Sequence, residues 1–479
     1  MAAALALGLT IELTIGTASH AAPAAAPAAP STPEANPAAG DIRAIRQEIE
    51  AMRAAYEARL QALETRLKAA EAAAAVAASA PSPAPPASPA PAPEPVVATR
   101  GGGGGANAFN PAISLILSGQ YARLSQDPAD YGITGFQLPT DAELGPGERG
   151  LGLGETELGL SASIDPWLRG AVTLALAPEE GVEVEEAYIE TTALGGGFTA
   201  RAGRFFSAIG YLNPQHAHSW DFIDNPLAYQ ALLGNQHGND GLRLSWLAPT
   251  DQYLEFTGEI GRGSAFPAGG NEGNGLGMWS LSAHTGGDVG ESHSWRAGLS
   301  VLKTKAWDQE LSATDIQSQA VTNAFTGNTR VWIADAVWKW APNGNATRTN
   351  FKLQGEYLSS QRRGDLVYDL GGAETTGAYR ATQSGWYLQG VYQFMPSWRV
   401  GLRTEQLDAG TPDYGANAAA FAASDYRPRK NTLMLDFSPS EFSRFRLQWG
   451  EDKSRAGVTD RQISLQYQMS LGAHGAHGF

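Results

Sequence analysis

Three of the eight histidines fall in a single stretch between two predicted strands. They are His216, His218 and His237, and Asp221 and Asp224 lie between them. Imidazole nitrogens and carboxylate oxygens are ligands that suit borderline divalent cations such as Zn²⁺. The stretch is therefore a candidate zinc site, although loop histidines more commonly form hydrogen bonds to the surrounding protein. No other pattern in the sequence requires a cofactor.

The motifs of common enzyme classes are missing from the sequence. It contains no Gly-x-Ser-x-Gly elbow, no phosphate-binding Gly-Lys-Ser/Thr loop and no His-Glu-x-x-His pair. Ser282 and His284 share one face of a predicted strand and are the best candidates for a lipid-facing hydrolytic pair. We therefore expect that the protein is not an enzyme.

Alternating apolar and polar residues dominate the chain from residue 108 to the end. Near the C terminus, Ile463, Leu465 and Tyr467 alternate with glutamine and serine, which is typical of a β-strand with one apolar face. The pattern recurs in sixteen segments, at residues 113–123, 155–164, 167–176, 184–192, 199–206, 241–247, 253–262, 278–285, 294–303, 330–340, 350–358, 385–394, 398–405, 432–437, 445–450 and 462–471.

The connections between these segments differ in length. Tight turns are predicted at residues 165–166, 248–251, 395–397 and 438–440, and long connections around residues 124–150, 207–239, 304–328, 359–382 and 406–430. Outer-membrane barrels have short periplasmic turns, long outside loops and apolar-out, polar-in strands. The sequence therefore predicts an all-β transmembrane protein, an antiparallel barrel of about 16 strands in the bacterial outer membrane. A soluble β-sandwich is the alternative.

The composition sets further limits. The 479 residues include no Cys, carry a net charge of −15 and contain no apolar run of about 18 residues that would cross a membrane as a helix. The absence of Cys suits a chain that is exported through an oxidising periplasm. The negative charge argues against nucleic acid as a partner. Outer-membrane lipid and the barrel-assembly machinery are the expected partners.

The N-terminal region has a different character from the rest of the chain. Residues 1–21 predict a signal peptide, although Glu12 interrupts the apolar part, and residues 22–40 form an Ala/Pro tether. Residues 41–78 keep the heptad spacing of a coiled coil with one stutter, which predicts a periplasmic helix that self-associates. Peptidoglycan is a further candidate partner of this helix. A Pro/Gly-rich linker, residues 79–107, leads to the barrel at residues 108–479.

Three stretches resemble known families. AGRFFSAIGYLN at residues 202–213 is similar to a strand and third loop of the phosphate-selective and carbohydrate porins. FNPAISLIL at residues 109–117 and HGAHGF at residues 474–479 resemble proteins labelled zinc-regulated TonB-dependent outer-membrane receptors. The resemblance implies a homotrimer and a third loop folded into the pore. A TonB-dependent receptor needs about 22 strands and a plug domain, so an open pore fits better.

Charged side chains opposite the apolar faces are predicted to line the pore. The basic ones are Arg169, Arg243, Arg296, Arg399, Arg403, Arg444 and Arg446, and the acidic ones are Glu155, Glu157, Glu255, Glu259, Asp335, Glu356 and Glu405. Rows of opposite charge would create a transverse field across the pore. From residue 101 onward, 40 acidic and 27 basic side chains give a net charge of −13, which favours cations modestly.

These observations predict a porin-like channel for passive diffusion of small solutes or ions. A zinc ion held by the third-loop histidines would add charge and bulk at the narrowest point. Two alternatives remain open at this stage. One is a gated receptor or transport protein for zinc or a zinc chelate, and the other is a structural anchor whose coiled coil binds the cell wall.

Overall fold

In the computed structural model of the protein, the described residues are 111–177, 181–270 and 274–472. The predicted signal peptide, tether, coiled coil and linker lie outside these ranges, as do His474 and His477. The strands are β1 (Ala112–Leu124), β2 (Leu138–Pro139), β3 (Gly150–Leu153), β4 (Glu157–Ser163), β5 (Leu168–Ala177), β6 (Gly181–Thr191), β7 (Phe198–Phe206), β8 (Gly238–Leu247), β9 (Tyr253–Gly261), β10 (Met278–Val289), β11 (His293–Thr314), β12 (Ala320–Trp340), β13 (Asn350–Tyr368), β14 (Thr375–Met395), β15 (Trp398–Asp408), β16 (Arg429–Ser440), β17 (Ser443–Lys453) and β18 (Asp460–Gly472).

Sixteen strands form a closed wall. β3 and β4 pair with successive parts of β1, so together they make one wall strand that is interrupted at residues 154–156. β2 has only two residues and pairs with β11 beyond the end of β10. All strand pairs are antiparallel, and β1 closes the sheet on β18, with Ser118 opposite Gln468. The predicted sixteen-stranded antiparallel barrel is confirmed, and the sandwich alternative is wrong.

Alternation along each strand separates an apolar exterior from a polar interior. On β18, Ile463 and Leu465 are 41% and 49% exposed, whereas Gln466 and Gln468 are each 8% exposed. A one-residue change of register would bring the apolar side chains inside, so the pattern fixes the register of the wall. The outer face of the wall is consequently apolar where this alternation holds.

The four strands from β11 to β14 are much longer than the sequence predicted. The connections expected at residues 304–328 and 359–382 are mostly strand, because β11 to β14 stay paired beyond the apolar part of the wall, with one register shift on β11 between Ala306 and Gln309. In this extension the polarity is reversed: Glu310 and Ser312 face outward, whereas Leu311 and Phe325 are fully buried inside. The sequence pattern used to predict strands, with apolar residues outward, stops where the polarity reverses. The extensions of β11 to β14 were therefore predicted as loops.

Helical structure in the described residues is confined to the connections. Helix α1 spans Leu227–Leu233, and short 3-10 helices occur at Pro128–Asp130, Ala217–Ser219, Pro342–Gly344 and Gly415–Ala420. No helix in the part of the chain that the structure describes is long and apolar enough to cross a membrane.

The barrel has an apolar core on one side of its interior. Residues 207–237, the connection between β7 and β8, fold inward and are here named the inner loop. Leu227 and Leu232 of its helix α1 pack against wall residues such as Ile333 and Leu358, and all are 1% exposed or less. Burial of such side chains stabilises the arrangement by roughly 1.5–3 kcal/mol each. The inner loop is therefore held inside the barrel rather than projecting from its rim.

Candidate functional site

The candidate site is the interior of the barrel around the inner loop. The loop enters after β7 through Gly210, whose φ of +65° lies in the left-handed region. A side chain at this position would also collide with the wall, since a Cβ would come within 2.3 Å of Glu356 Oε2. Glycine is therefore needed where the loop turns into the lumen.

Glu356, on β13, anchors the first part of the inner loop. Its carboxylate accepts hydrogen bonds from the backbone N–H groups of Tyr211 (3.1 Å) and Leu212 (3.0 Å). It also accepts from the hydroxyls of Tyr229, in α1, and Tyr387, on the neighbouring strand, at 2.8 and 2.6 Å. Four donors thus converge on this one side chain, which holds two separate parts of the loop.

Asp224 anchors the middle of the loop through ion pairs. Its carboxylate lies 2.9 Å from Arg403 Nη2 and 2.7 Å from Lys430 Nζ, and it accepts a hydrogen bond of 2.6 Å from Gln448. Burial alone would raise the pKa of Asp224, but Arg403 and Lys430 outweigh burial and hold this pKa well below its usual range. Asp224 is therefore committed to binding these cations.

Asp221 is committed in the same way. Its carboxylate lies 2.5 Å from Lys352 Nζ and 3.3 Å from Arg399 Nη1. Burial opposes ionisation, but these two cations lower the pKa of Asp221 well below its usual range. The prediction that Asp221 and Asp224 would share a metal ion with the loop histidines is thus not matched by the geometry, because both aspartates bind basic groups of the wall.

His237 occupies a separate position. It is fully buried, its Nδ1 lies 3.0 Å from the carbonyl oxygen of Phe266, and its backbone N–H donates to Asn213. Burial lowers the pKa of His237, which favours the neutral ring. No described contact joins His237 to His216 or His218, so its role is to tie the end of the inner loop to the connection after β9.

His216 and His218 lie side by side against acidic residues of β4 and β6. Their rings stack with a centroid separation of 5.7 Å. His216 Nδ1 lies 3.2 Å from Glu185 Oε2, and His216 Nε2 lies 3.0 Å from Glu186 Oε2. His218 Nδ1 lies 2.7 Å from Glu157 Oε1.

The acidic surroundings of His216 determine its charge. Burial alone would lower the pKa of His216, but its hydrogen bonds to Glu185 and Glu186 outweigh burial and place the pKa well above its ordinary value. The acidic surroundings therefore favour the protonated ring.

All the predicted pore-lining residues lie on the interior side of the wall or, for Glu155, directly before β4. Many form ion pairs within the wall: Arg169 with Glu190 (3.1 Å), Arg243 with Glu259 (2.7 Å), Arg403 with Glu405 (3.0 Å) and Arg446 with Asp436 (2.8 Å). Charges of both signs are therefore interleaved between neighbouring strands.

The other predicted pore-lining residues have different partners. Arg296 lies over the ring of Tyr211 at 5.7 Å, and one Nη of Arg444 donates to the carbonyl oxygen of His218 at 2.9 Å. Glu255 accepts hydrogen bonds from neighbouring hydroxyls on β9, and Asp335 lies beside His284 at 3.5 Å.

Several interior charges were missed in the sequence. Arg201 (on β7), Lys352 (on β13) and Glu186 (on β6) lie inside predicted strands, so strict alternation from a known interior neighbour would have found them. Glu185 could not be found this way. A β-bulge opposite Thr173 and Leu174 turns two consecutive residues of β6 toward the interior, and a bulge leaves no reliable sequence signal.

The prediction that Ser282 and His284 form a lipid-facing hydrolytic pair is wrong about where they face. Ser282 and His284 are 6% and 3% exposed and face the interior of the barrel, whereas their neighbour Leu281 is 56% exposed on the outside. The Ser282 hydroxyl has no hydrogen-bond partner, so no base activates it in this arrangement.

Comparisons with known proteins give distant likenesses. No family model matches the chain. The chain is 29% identical over 397 residues to an "Uncharacterized protein" of Aquifex aeolicus (strain VF5), covering 78% of this chain and 80% of that protein.

Three solved structures show the range of the structural likenesses. OmpT in its trimer form, an outer membrane protein of Vibrio cholerae, has a TM-score of 0.47 at 11% identity, covering 76% of this chain and 99% of that chain. The outer membrane channel DcaP of Acinetobacter baumannii has a TM-score of 0.45 at 12% identity, with coverage of 76% and 97%. An anion-selective porin from Comamonas acidovorans has a TM-score of 0.46 at 13% identity, with coverage of 76% and 99%.

Proposed function

We propose that the protein is an outer-membrane channel for passive diffusion of small polar solutes or ions, narrowed by its inner loop. The observation that carries the proposal is the closed wall with an apolar exterior and a charged interior. Closure leaves no unpaired strand edge, which lipid would not tolerate. An apolar surface of this extent has no role on a soluble monomer but is suited to a bilayer.

Part of the interior remains open to solvent. The apolar core of the inner loop lies against β10 to β15, and the loop histidines meet largely buried acids of β4 and β6, but other polar side chains of β4 to β6 stay exposed. Arg169 is 43% exposed in its side chain, and Ser161 and Glu183 are also exposed on the inner face. Charged groups that retain solvent on the inner wall can conduct ions and polar solutes.

The aromatic residues support placement in a membrane. Trp338 and Trp398 lie near the turn ends of their strands, and Trp449 lies near the loop end of β17. Tryptophan at both ends of membrane strands is typical of the interface with lipid headgroups. The end of the barrel with the long connections then faces outside, and the end with the tight turns faces the periplasm.

The experiment that tests the proposal is swelling of proteoliposomes that contain the purified, folded protein. We expect swelling in small sugars or amino acids that decreases steeply with solute size, because the inner loop narrows the lumen. Liposomes containing heat-denatured protein are the control. Equal rates for the folded protein and this control would contradict the proposal. The predicted homotrimer stays a prediction, and native mass analysis of the same detergent-solubilised sample would test it.

A further inference from the structure

The strongest unexplained feature of the interior is an excess of buried acid where the inner loop meets β4 and β6. Four carboxylates, those of Glu155, Glu157, Glu185 and Glu186, surround His216. The side chains of Glu157 and Glu186 are only 4% and 12% exposed. Carboxylates removed from water need compensating charge, since an uncompensated buried ion is costly.

The neighbouring cations do not supply that charge. Among the described residues, no Lys or Arg forms an ion pair with Glu155, Glu157 or Glu185. Arg201 lies 3.9 Å from Glu186 but binds Glu190 at 2.6 Å. Four carboxylates thus face two imidazoles and one guanidinium that is already shared.

One oxygen in the cluster has no hydrogen-bond partner. Glu155 Oε2 is buried from solvent and accepts no hydrogen bond from any described residue. Ligand atoms of Glu155, Glu157, Glu185 and His216 all lie within 4.8 Å of one another. A buried acceptor without a partner, on a residue grouped with other acceptors, is suited to binding a cation.

The spacing of these atoms suits a small divalent ion. His216 Nδ1 lies 3.2 Å from Glu185 Oε2 and 3.5 Å from Glu157 Oε2. Tetrahedral zinc with N and O ligands at about 2.0–2.1 Å places its ligand atoms roughly 3.3 Å apart. The two measured separations bracket this value, so the ring nitrogen and these oxygens can bind one ion with small movements.

The groups behind the cluster would orient the ligands correctly. Glu186 Oε2 lies 3.0 Å from His216 Nε2 and would accept its proton, which leaves the Nδ1 lone pair directed at the other carboxylates. His218 contacts Oε1 of Glu157, whereas His216 faces Oε2 of the same carboxylate. A carboxylate that orients a metal-binding histidine is the usual arrangement in protein metal sites.

We propose that Glu155, Glu157, Glu185 and His216 form a site for a divalent cation of the zinc type, with Glu186 and His218 as supporting residues. The site differs from the one that the sequence predicted, since Asp221, Asp224 and His237 do not take part. An ion here would join β4 and β6 to the inner loop, because His216 belongs to the loop. Cation binding at this site does not depend on channel activity, so a failure of this proposal can be told apart from a failure of the proposed function.

Zinc titration of the full-length protein in detergent, by isothermal calorimetry, tests the proposal. The background carries His474→Ala and His477→Ala, which removes competing imidazoles near the C terminus. We expect one zinc ion per chain, and at least a 10-fold loss of affinity in Glu185→Gln and in His216→Gln. Glu183→Gln is the matched control, because Glu183 lies on the same strand, faces the same interior and is exposed.

Three results would overturn the proposal. They are no zinc binding by the folded parent, loss of binding in the background variant alone, and parental affinity in both site variants. Heat-modifiable migration on a gel would verify that each variant is folded. If either site variant failed to fold, X-ray absorption of the zinc-loaded background protein would still decide the matter. A shell of oxygens with one imidazole is expected, whereas a shell with two or more imidazoles would exclude this site.

Discussion

Asp224 offers the sharpest test of how the inner loop is held. The change is Asp224→Asn, which keeps the size of the side chain but removes its charge. Arg403 and Lys430 are 1% and 2% exposed, so they would stay buried with less compensation. Removing one partner of a buried ion pair costs about 3–5 kcal/mol.

Hydrogen–deuterium exchange of the inner loop measures this cost directly. A loss of about 3–5 kcal/mol in the free energy of local opening corresponds to exchange that is roughly 150- to 5,000-fold faster. We expect this acceleration in peptides from residues 221–233, with little change in β10 and β11. Asp425→Asn is the control, because Asp425 lies exposed in the connection between β15 and β16.

A double-mutant cycle would attribute the effect to the ion pair. Lys430→Met removes the second charge, so Asp224→Asn/Lys430→Met should be destabilised by less than the sum of the two single changes. Strict additivity, or exchange in Asp224→Asn that equals the parent, would refute the anchoring role of this carboxylate.

Three further outcomes are expected. The pKa values of Asp221 and Asp224 are lowered in the folded state, so their ion pairs are fully formed above the ordinary aspartate pKa of about 3.9 and are lost only as the pH falls through the lower folded values. Hydrogen–deuterium exchange of the inner loop, corrected for its intrinsic pH dependence, should therefore stay constant from about pH 7 to 5. Marked opening of the loop in that range would contradict this expectation. At low salt, reversal potentials should show that the channel modestly prefers cations. The double variant Lys352→Gln/Arg399→Gln should increase this preference, since the two basic side chains are 22% and 27% exposed in the lumen. A clear anion preference in the parent would mean that the exposed basic side chains dominate. Leu435→Arg should destabilise the barrel in lipid vesicles by about 2–4 kcal/mol, because Leu435 is 37% exposed on the outer face in the middle of β16, opposite Leu447. Leu435→Ala is its control, and equal unfolding free energies for the two variants would argue against lipid contact there.

The fold was largely predictable because it depends on a local pattern. Each wall strand carries its own alternation, and the sixteen predicted segments all fall on wall strands. The extension of β11 to β14 was not predictable in the same way. There the buried side chains, such as Leu366 and Tyr379, face inward against the connections, so the outward face is no longer apolar.

The interior contacts depend on which distant residues meet, and one sequence does not contain that information. The residue types suggested that His216 and His218 could bind a metal, and the structure does place them among potential ligands. Their nearest acids are not the neighbouring aspartates, however. Once the loop folds inward, Glu157 lies closer to His216 in space than the sequence separation suggests, while Asp221 reaches Lys352 on β13.

Recording single channels in a planar lipid bilayer tests the central claim most directly, namely that the barrel is a permanently open but narrowed channel. The folded full-length protein should insert as discrete steps of equal size with a linear current–voltage relation at low voltage. A protein that is folded by heat-modifiability, inserts into the bilayer and yet carries no current would contradict the claim.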